Sequence, residues 1–344
     1  MGTTKPPLER LRDLTPGMRA DFFALLVERT RGLTREGRPY YHCRFRDAAR
    51  SVALMAWVDD RWFVPCENDW REGTFYKLRA IYHEHERYGP QLDLLAIREV
   101  VEADRADGFD EGDFVESTSH TLALLWAETL ALAKENIDAE PLRDLVLHLL
   151  ETHAEPLCRL PASRDRAYPY RGGLLEHTVA VARLVLDLAQ RYTAAWPTLQ
   201  PPLDRGLLVA AALLHEIGRV RELNDDWNPQ PTLAGRLFGP GLLTRDMLRE
   251  AAGLFALTQE TQTLLEHLVL CPHSKEPPVL PEGVLLVHAD RLDTEFAQCA
   301  RLLQRDPAPG PFTERDPGLG RALYKQREKR EASCTTQDAE PEGK

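Results

Sequence analysis

Between residues 104 and 121 the spacing of apolar residues changes from every second position to every third or fourth, and no single element accommodates both. Side chains of a strand alternate between two faces, whereas a helix returns to one face after three or four residues. The chain must therefore divide into a β part and an α part, and 344 residues suffice to give each a core of its own.

In the first part, Tyr41, Cys43 and Phe45 alternate with His42, Arg44 and Arg46. A polar break at 47–50 follows, and the alternation resumes through Val52, Leu54 and Ala56, which reads as a hairpin. Further strands are expected over 21–29, 74–83 and 91–101, the last two joined around Tyr88-Gly89-Pro90. Five strands in about ninety residues fit a small Greek-key barrel of the OB (oligonucleotide-binding) type, and an SH3-like barrel fits the pattern almost as well.

After the acidic stretch 107–116, helices are expected over 121–134, 141–157, 174–192, 205–220, 244–257, 261–270 and 284–303. Proline-rich joints at 196–202 and 277–281 separate them. From Pro307 the composition turns to Pro, Gly and charge, which predicts a disordered tail. The predicted fold class is α+β, a five-stranded barrel followed by an all-α bundle.

The remaining composition narrows the setting. The first residues contain no apolar h-region, and the longest apolar stretch, 206–214, is too short to span a bilayer. Six cysteines without a CxxC pair argue against a disulfide scaffold or a zinc ribbon and point to a reducing, cytoplasmic location. A net charge of −11 means that any nucleic-acid contact must come from a local basic cluster.

Three helical segments carry metal-ligating side chains: Gly-Gly-Leu-Leu-Glu-His-Thr at 172–178, Ala-Leu-Leu-His-Glu-Ile-Gly-Arg at 212–219, and His-Ala-Asp-Arg-Leu-Asp at 288–293. His215 and Glu216 point about 100° apart on a helix, so both reach one ion only if it lies between their directions. His177 and Asp290 must then arrive from other helices. Two imidazoles and two carboxylates suit one divalent ion, Mn²⁺, Fe²⁺, Zn²⁺ or Mg²⁺, with a position left for water. Spacing alone is equally met by a helix C-terminus at which His215 sits near the negative end of the dipole. His288 lies about 200° from Asp290 and reads as a surface residue, His267 as a core histidine, and His148 and His153 as ordinary helical residues.

The order and wording of these three segments resemble the HD-domain superfamily, and within it the YhaM-type 3′→5′ exoribonucleases, in which an OB-fold precedes a helical linker and an HD domain. The resemblance extends over roughly residues 17–303. It implies an N-terminal extension over 1–16, a nucleic-acid-binding barrel over 17–106, a helical linker over 107–160, an HD domain over 161–304 and a tail over 305–344. It also implies that His177, His215, Glu216 and Asp290 hold the metal, with Glu216 standing where the family has Asp.

The chain departs from the family at several positions. Gly239-Pro240 stands in place of Gly-His, and Cys271-Pro272-His273-Ser274 in place of Ser-His-His-Gly. Ala167-Tyr168 replaces a histidine pair, and Arg219 replaces a lysine. Proline carries no ligand atom, so a second ion would lose two ligands, and a mononuclear site is expected.

Three functions are then compatible with the sequence. The first is a metal-dependent phosphohydrolase acting from the 3′ end of single-stranded RNA or DNA. Arg219 and His273 would neutralise developing charge or protonate the leaving oxygen, and Tyr41, Arg44, Phe45 and Trp57 would contact the strand. The second is a degenerate relative that binds nucleic acid or a protein without hydrolysis. The third is a hydrolase of nucleotides or small phosphate esters. The resemblance also suggests a homo-oligomer.

Overall fold

The computed structural model describes residues 7–86, 88–306 and 308–325. Five strands, β1 (Arg19–Leu33), β2 (Pro39–Arg46), β3 (Ser51–Trp57), β4 (Phe75–His85) and β5 (Gly89–Glu99), close into a barrel in the order β1-β2-β3-β5-β4. The first strand makes closure possible because it serves two neighbours. Residues 19–25 pair with β4, and residues 25–33 pair with β2 across a register shift between Leu26 and Glu28. A bulge of this kind bends a strand and increases its twist. The β3–β5 pairing is parallel, and the other four are antiparallel.

Alternation decides what the barrel buries. Phe22, Tyr41, Cys43, Phe45, Val52, Leu54, Ala56, Tyr76, Leu78 and Ala80 all point inward into one core. Tyr41 and Phe45, expected to contact a strand, are 7% and 0% exposed, so they are core residues. The period-two pattern made the two faces equivalent on paper. The inward set is fixed by the partners: Phe45 packs against Trp70 and Tyr76, and Tyr41 against Phe63. Phe63 and Cys66 belong to a short helix, α1 (Phe63–Asn68), which the sequence reading left out. It is one and a half turns long, too short to show a helical period.

The helical half comprises α2 (Leu122–Asn136), α3 (Glu140–Thr152), α4 (Ala154–Arg159), α5 (Gly173–Ala195), α6 (Arg205–Leu214), α7 (Arg219–Glu222), α8 (Leu233–Ala252), α9 (Gln259–Leu270) and α10 (Pro281–Arg305). Every residue of α6 from Leu207 to Leu214 is buried, so this helix is enclosed on all sides by its neighbours. Asp204 caps its start by accepting from the Leu207 N–H at 2.8 Å. It ends earlier than its apolar run suggested, at Leu214. The helix expected over 244–257 is instead α8, which begins eleven residues earlier at Leu233, crosses a kink at Gly239 (φ +70°) and Pro240, and ends at Ala252.

The two halves meet through an aromatic cluster. Phe75 of β4 contacts Phe109 and Phe114 of the connecting segment and Trp227 of the helical half, at centroid separations of 5.2 to 5.4 Å. Asn228 Nδ2 donates to the Val27 carbonyl at 2.9 Å. The exit from the barrel is fixed by Asp104, 3% exposed, which accepts from both terminal nitrogens of Arg98, from Lys77 Nζ and from the Val101 N–H.

From Glu295 onward the chain forms a second compact unit. Within it, Phe312 bridges Tyr324, Asp316 bridges Arg321, and Lys325 Nζ binds Asp306 Oδ2 at 2.6 Å. Local structure therefore extends to residue 325, where a disordered tail was expected from 305, and the rest of that tail lies outside the described residues. Among the described residues no helix is long and apolar enough to cross a membrane.

The Arg98 side chain is the largest of the influences that hold the Asp104 carboxyl well below the usual range, with the Val101 amide and Lys77 acting in the same sense. A depressed native pKa gives stability that is present above the unfolded value of about 3.9 and lost as pH falls below it. Asp104→Asn is expected to cost about 1–3 kcal/mol at pH 7, because Arg98 and the Val101 N–H lose an ionised acceptor while Lys77 keeps Asp107. Urea unfolding should show the gap between variant and parent narrowing from pH 7 towards pH 3, and an unchanged gap would contradict this account of the exit.

Candidate metal centre

Three helices deliver three ligands to one point. His177 lies in the second turn of α5, His215 immediately follows the enclosed helix α6, and Asp290 lies in α10. His177 and His215 are 3% and 0% exposed. One ligand atom from each of the three lies within 4.8 Å of the other two. The His215 and His177 Nε2 atoms are 3.4 Å apart, and Asp290 Oδ1 lies 3.2 Å from His177 Nε2 and 3.8 Å from His215 Nε2.

The far side of each imidazole fixes its tautomer. His177 Nδ1 lies 2.7 Å from Asp293 Oδ2, and His215 Nδ1 lies 2.7 Å from the Ala212 carbonyl. Both partners can only accept, so each Nδ1 carries the proton. Two Nε2 atoms and a carboxylate oxygen then converge on one point, where a cation complements them. Two imidazoles and one carboxylate, each imidazole oriented by an acceptor behind it, fit a divalent ion with open positions. In place of a metal, a proton serves the same purpose. Burial lowers the His177 pKa, but hydrogen bonds donated to the Asp290 and Asp293 carboxylates, with their charges, outweigh it and lift the group to about 9. Burial raises the Asp290 carboxyl, and the two histidines bring it well below its ordinary range.

The local backbone is built around this arrangement. Gly172 takes φ +79° at the start of α5, and a Cβ on Gly173 would lie 2.3 Å from the Tyr168 carbonyl oxygen. Tyr168 itself holds φ +49°, a conformation side chains rarely adopt. Its hydroxyl donates to Asp293 Oδ1 at 2.9 Å, and its ring packs on His177 at 5.5 Å. Burial and the Asp293 carboxylate push the phenol well up, so it remains a donor. Tyr168 and Asp293 were not foreseen as site residues. For Asp293 a signal was present, since it sits three residues after Asp290 on a helix, the spacing of one face.

Glu216 does not join the three converging atoms. Its Oε2 accepts from Arg219 Nε at 2.7 Å, and its Oε1 lies 3.9 Å from His273 Nε2. Burial alone would raise its pKa, but Arg219, with the neighbouring histidines, holds it below the usual range. Arg219 is held from two sides, since its second nitrogen donates to Glu222 at 2.7 Å. His273 Nε2 donates to the His215 carbonyl at 3.2 Å, and its ring rests where a Gly241 Cβ would stand, 2.6 Å away. Glu216, Arg219 and His273 thus form a polar layer beside the cluster. His288 is exposed, as expected.

On the barrel, the other predicted contacts separate. Trp57 is 46% exposed and lies 5.2 Å from the Tyr40 ring. Both line a cleft of about 700 Å³ with Trp62, His85 and Tyr88. Arg44 is exposed and paired with Glu28.

A model of the HD domain matches residues 174–295, which contain all three converging ligands and Asp293. A family model for candidate helicases, TraI_2, overlaps it at residues 120–221. The chain is 27% identical over 316 residues to the 3′-5′ exoribonuclease YhaM of Bacillus velezensis, covering 90% of this chain and 95% of that protein. It is 28% identical over 326 residues to YhaM of Oceanobacillus iheyensis, with the same coverage. Among solved structures, the second OB-fold domain of replication protein A from Methanococcus maripaludis aligns with 28% of this chain and 96% of its own, at 11% identity and a TM-score of 0.21. The similarity to the YhaM exoribonucleases covers 90% of this chain, well beyond the residues that the HD model matches.

Metal uptake must displace the His177 proton, because its pKa of about 9 leaves it protonated at neutral pH. Calorimetry of Mn²⁺ or Zn²⁺ binding at pH 7.5, in buffers of different ionisation enthalpy, should report close to one proton released, and the release should vanish above about pH 9. Asp293→Asn should weaken metal binding about 10- to 100-fold. Binding without proton release at pH 7.5 would contradict the arrangement.

Proposed function

We propose that this chain, which carries an HD domain and is similar to YhaM exoribonucleases along nine-tenths of its length, is a metal-dependent 3′→5′ exonuclease of single-stranded RNA. The convergence of His177 Nε2, His215 Nε2 and Asp290 Oδ1 carries the reading. A divalent ion held there supplies Lewis-acid polarisation of a phosphoryl oxygen and lowers the pKa of water. His177, His215 and Asp290 would hold it, with Asp293 and the Ala212 carbonyl keeping both imidazoles in the binding tautomer. Glu216 would complete the site only by leaving Arg219, so three protein ligands and a single ion are the simplest set.

The neighbouring residues position and exclude. Tyr168 donates to Asp293 and covers one face of His177. His273 holds its Nε2 proton against the His215 carbonyl, close to Glu216, and is the nearest candidate to donate to a leaving oxygen. Arg219 is neutralised by Glu216 and Glu222, so a phosphate would have to displace one of them for Arg219 to act.

The barrel is read as OB-type, and its cleft as the strand-binding face. Exposed Trp57 with Tyr40, Trp62 and Tyr88 offers stacking surfaces along β2, β3 and the β4–β5 turn. The exposed Leu233, Leu237 and Leu242 of α8 support a homo-oligomer. A second reading, binding without hydrolysis, is favoured by one observation, that Glu216 is held by Arg219 outside the cluster.

Digestion of a 5′-labelled single-stranded RNA with Mn²⁺ present is expected to give a ladder shortening from the 3′ end. His215→Ala and Asp290→Ala should abolish both metal content and the ladder. Metal without RNA cleavage would favour a nucleotide substrate, and absence of metal would favour the binding-only reading. On the barrel, Trp57→Ala should weaken RNA binding about tenfold. Phe45→Ala should instead cost about 3–5 kcal/mol of stability, seen as a lower melting temperature.

A further inference from the structure

We propose that a second site, at the junction of the barrel with the helical half, binds the phosphate group of a phosphate ester through Arg46 and Arg171, with Arg159 and Arg164 in its walls. All four arginines line one cavity of about 370 Å³, which also contains Trp227 and Tyr170. Arg46 ends β2, Arg159 ends α4, and Arg164 and Arg171 flank the loop that leads into the metal-binding helix α5.

The arginines of this cavity do not all have their hydrogen-bonding capacity filled. Arg159 is committed, to Glu155 at 2.8 Å and to Asp225. Arg164 donates to the neutral Gln230 at 3.1 Å. The Nε atoms of Arg46 and Arg159 are buried and meet no hydrogen-bond partner. Asp165 and Asp226 also reach the lining, and Glu116 acts on Arg46 through its charge. Burial pushes the guanidinium groups of Arg46 and Arg171 below the ordinary arginine range, against the pull of Glu116 and Asp225. Burying guanidinium donors without acceptors is costly, so the donors left over in this pocket are suited to an anion with several oxygens.

The chemistry selects a phosphate ester among anions. Planar guanidinium forks aimed from different elements match an anion with several oxygens. Arg171 is held in place by stacking over the Trp227 ring at 4.7 Å, which leaves its edge available to donate. The cavity exceeds the needs of a bare phosphate, and the Tyr170 and Trp227 rings give the sugar or base of an ester apolar surface. Two sources supply such a group: the backbone of a nucleic-acid strand passing between barrel and metal centre, or a free nucleotide. The site does not depend on hydrolysis at the metal centre.

The test uses the full chain and the double variant Arg46→Gln/Arg171→Gln. Affinity is read by anisotropy for a short single-stranded RNA with phosphorothioate linkages, over a range of salt, and by calorimetry for adenosine monophosphate. About tenfold weaker RNA binding, with a salt slope lower by about 1.4 for two lost phosphate contacts, would assign the pocket to the strand. Weaker binding of the monophosphate alone would assign it to a free nucleotide. Unchanged affinity for both would overturn the proposal. If the Gln variant melts well below the parent, Arg46→Lys/Arg171→Lys keeps the charge without the forks, and about threefold weakening of either ligand is expected. Because cleavage is not read, these outcomes are independent of whether the chain is a nuclease.

Discussion

Two imidazole nitrogens face one another at 3.4 Å with a carboxylate oxygen beside them, and each imidazole is prevented from turning away by an acceptor on its other side. That arrangement is electrostatically incomplete without a cation, and the helical half is organised around it. The enclosed helix α6 fixes the depth of His215, and the Gly172-Gly173 turn lets α5 begin directly under Tyr168. Asp293 ties the tyrosine and His177 to α10. Replacing a single ligand would therefore leave the packing of apolar residues largely intact while removing the reason for the buried charge.

Much of this was legible in the sequence, because the change of period divides the chain and the ligands sit at the boundaries of apolar helices. His177, His215 and Asp290 were readable from their motifs. Glu216 was misplaced because adjacency on a helix does not say which neighbour a carboxylate prefers. Arg219, one turn away, is near enough to capture it at 2.7 Å. Tyr168 could not have been found from periodicity, since its position depends on a left-handed backbone in an irregular loop. In the barrel the alternation identified two faces without saying which was inside, so Tyr41 and Phe45 were assigned to the wrong one. Trp57, named with them as a strand contact, is exposed at the end of β3.

The two halves are coupled by contacts that neither period reveals. The Phe75, Phe109, Phe114 and Trp227 cluster joins strand, connector and helical loop, and Trp227 also carries Arg171 on its ring. The barrel and the arginine-lined junction are thus linked through the Trp227 ring.

The central claim is that three side chains from three helices hold one divalent ion. Anomalous diffraction from crystals grown with Mn²⁺ tests it most directly. The account predicts a peak at coordination distance, about 2.0–2.2 Å, from His177 Nε2, His215 Nε2 and an Asp290 oxygen together. A peak elsewhere, or none at this point with Mn²⁺ in excess, would contradict it.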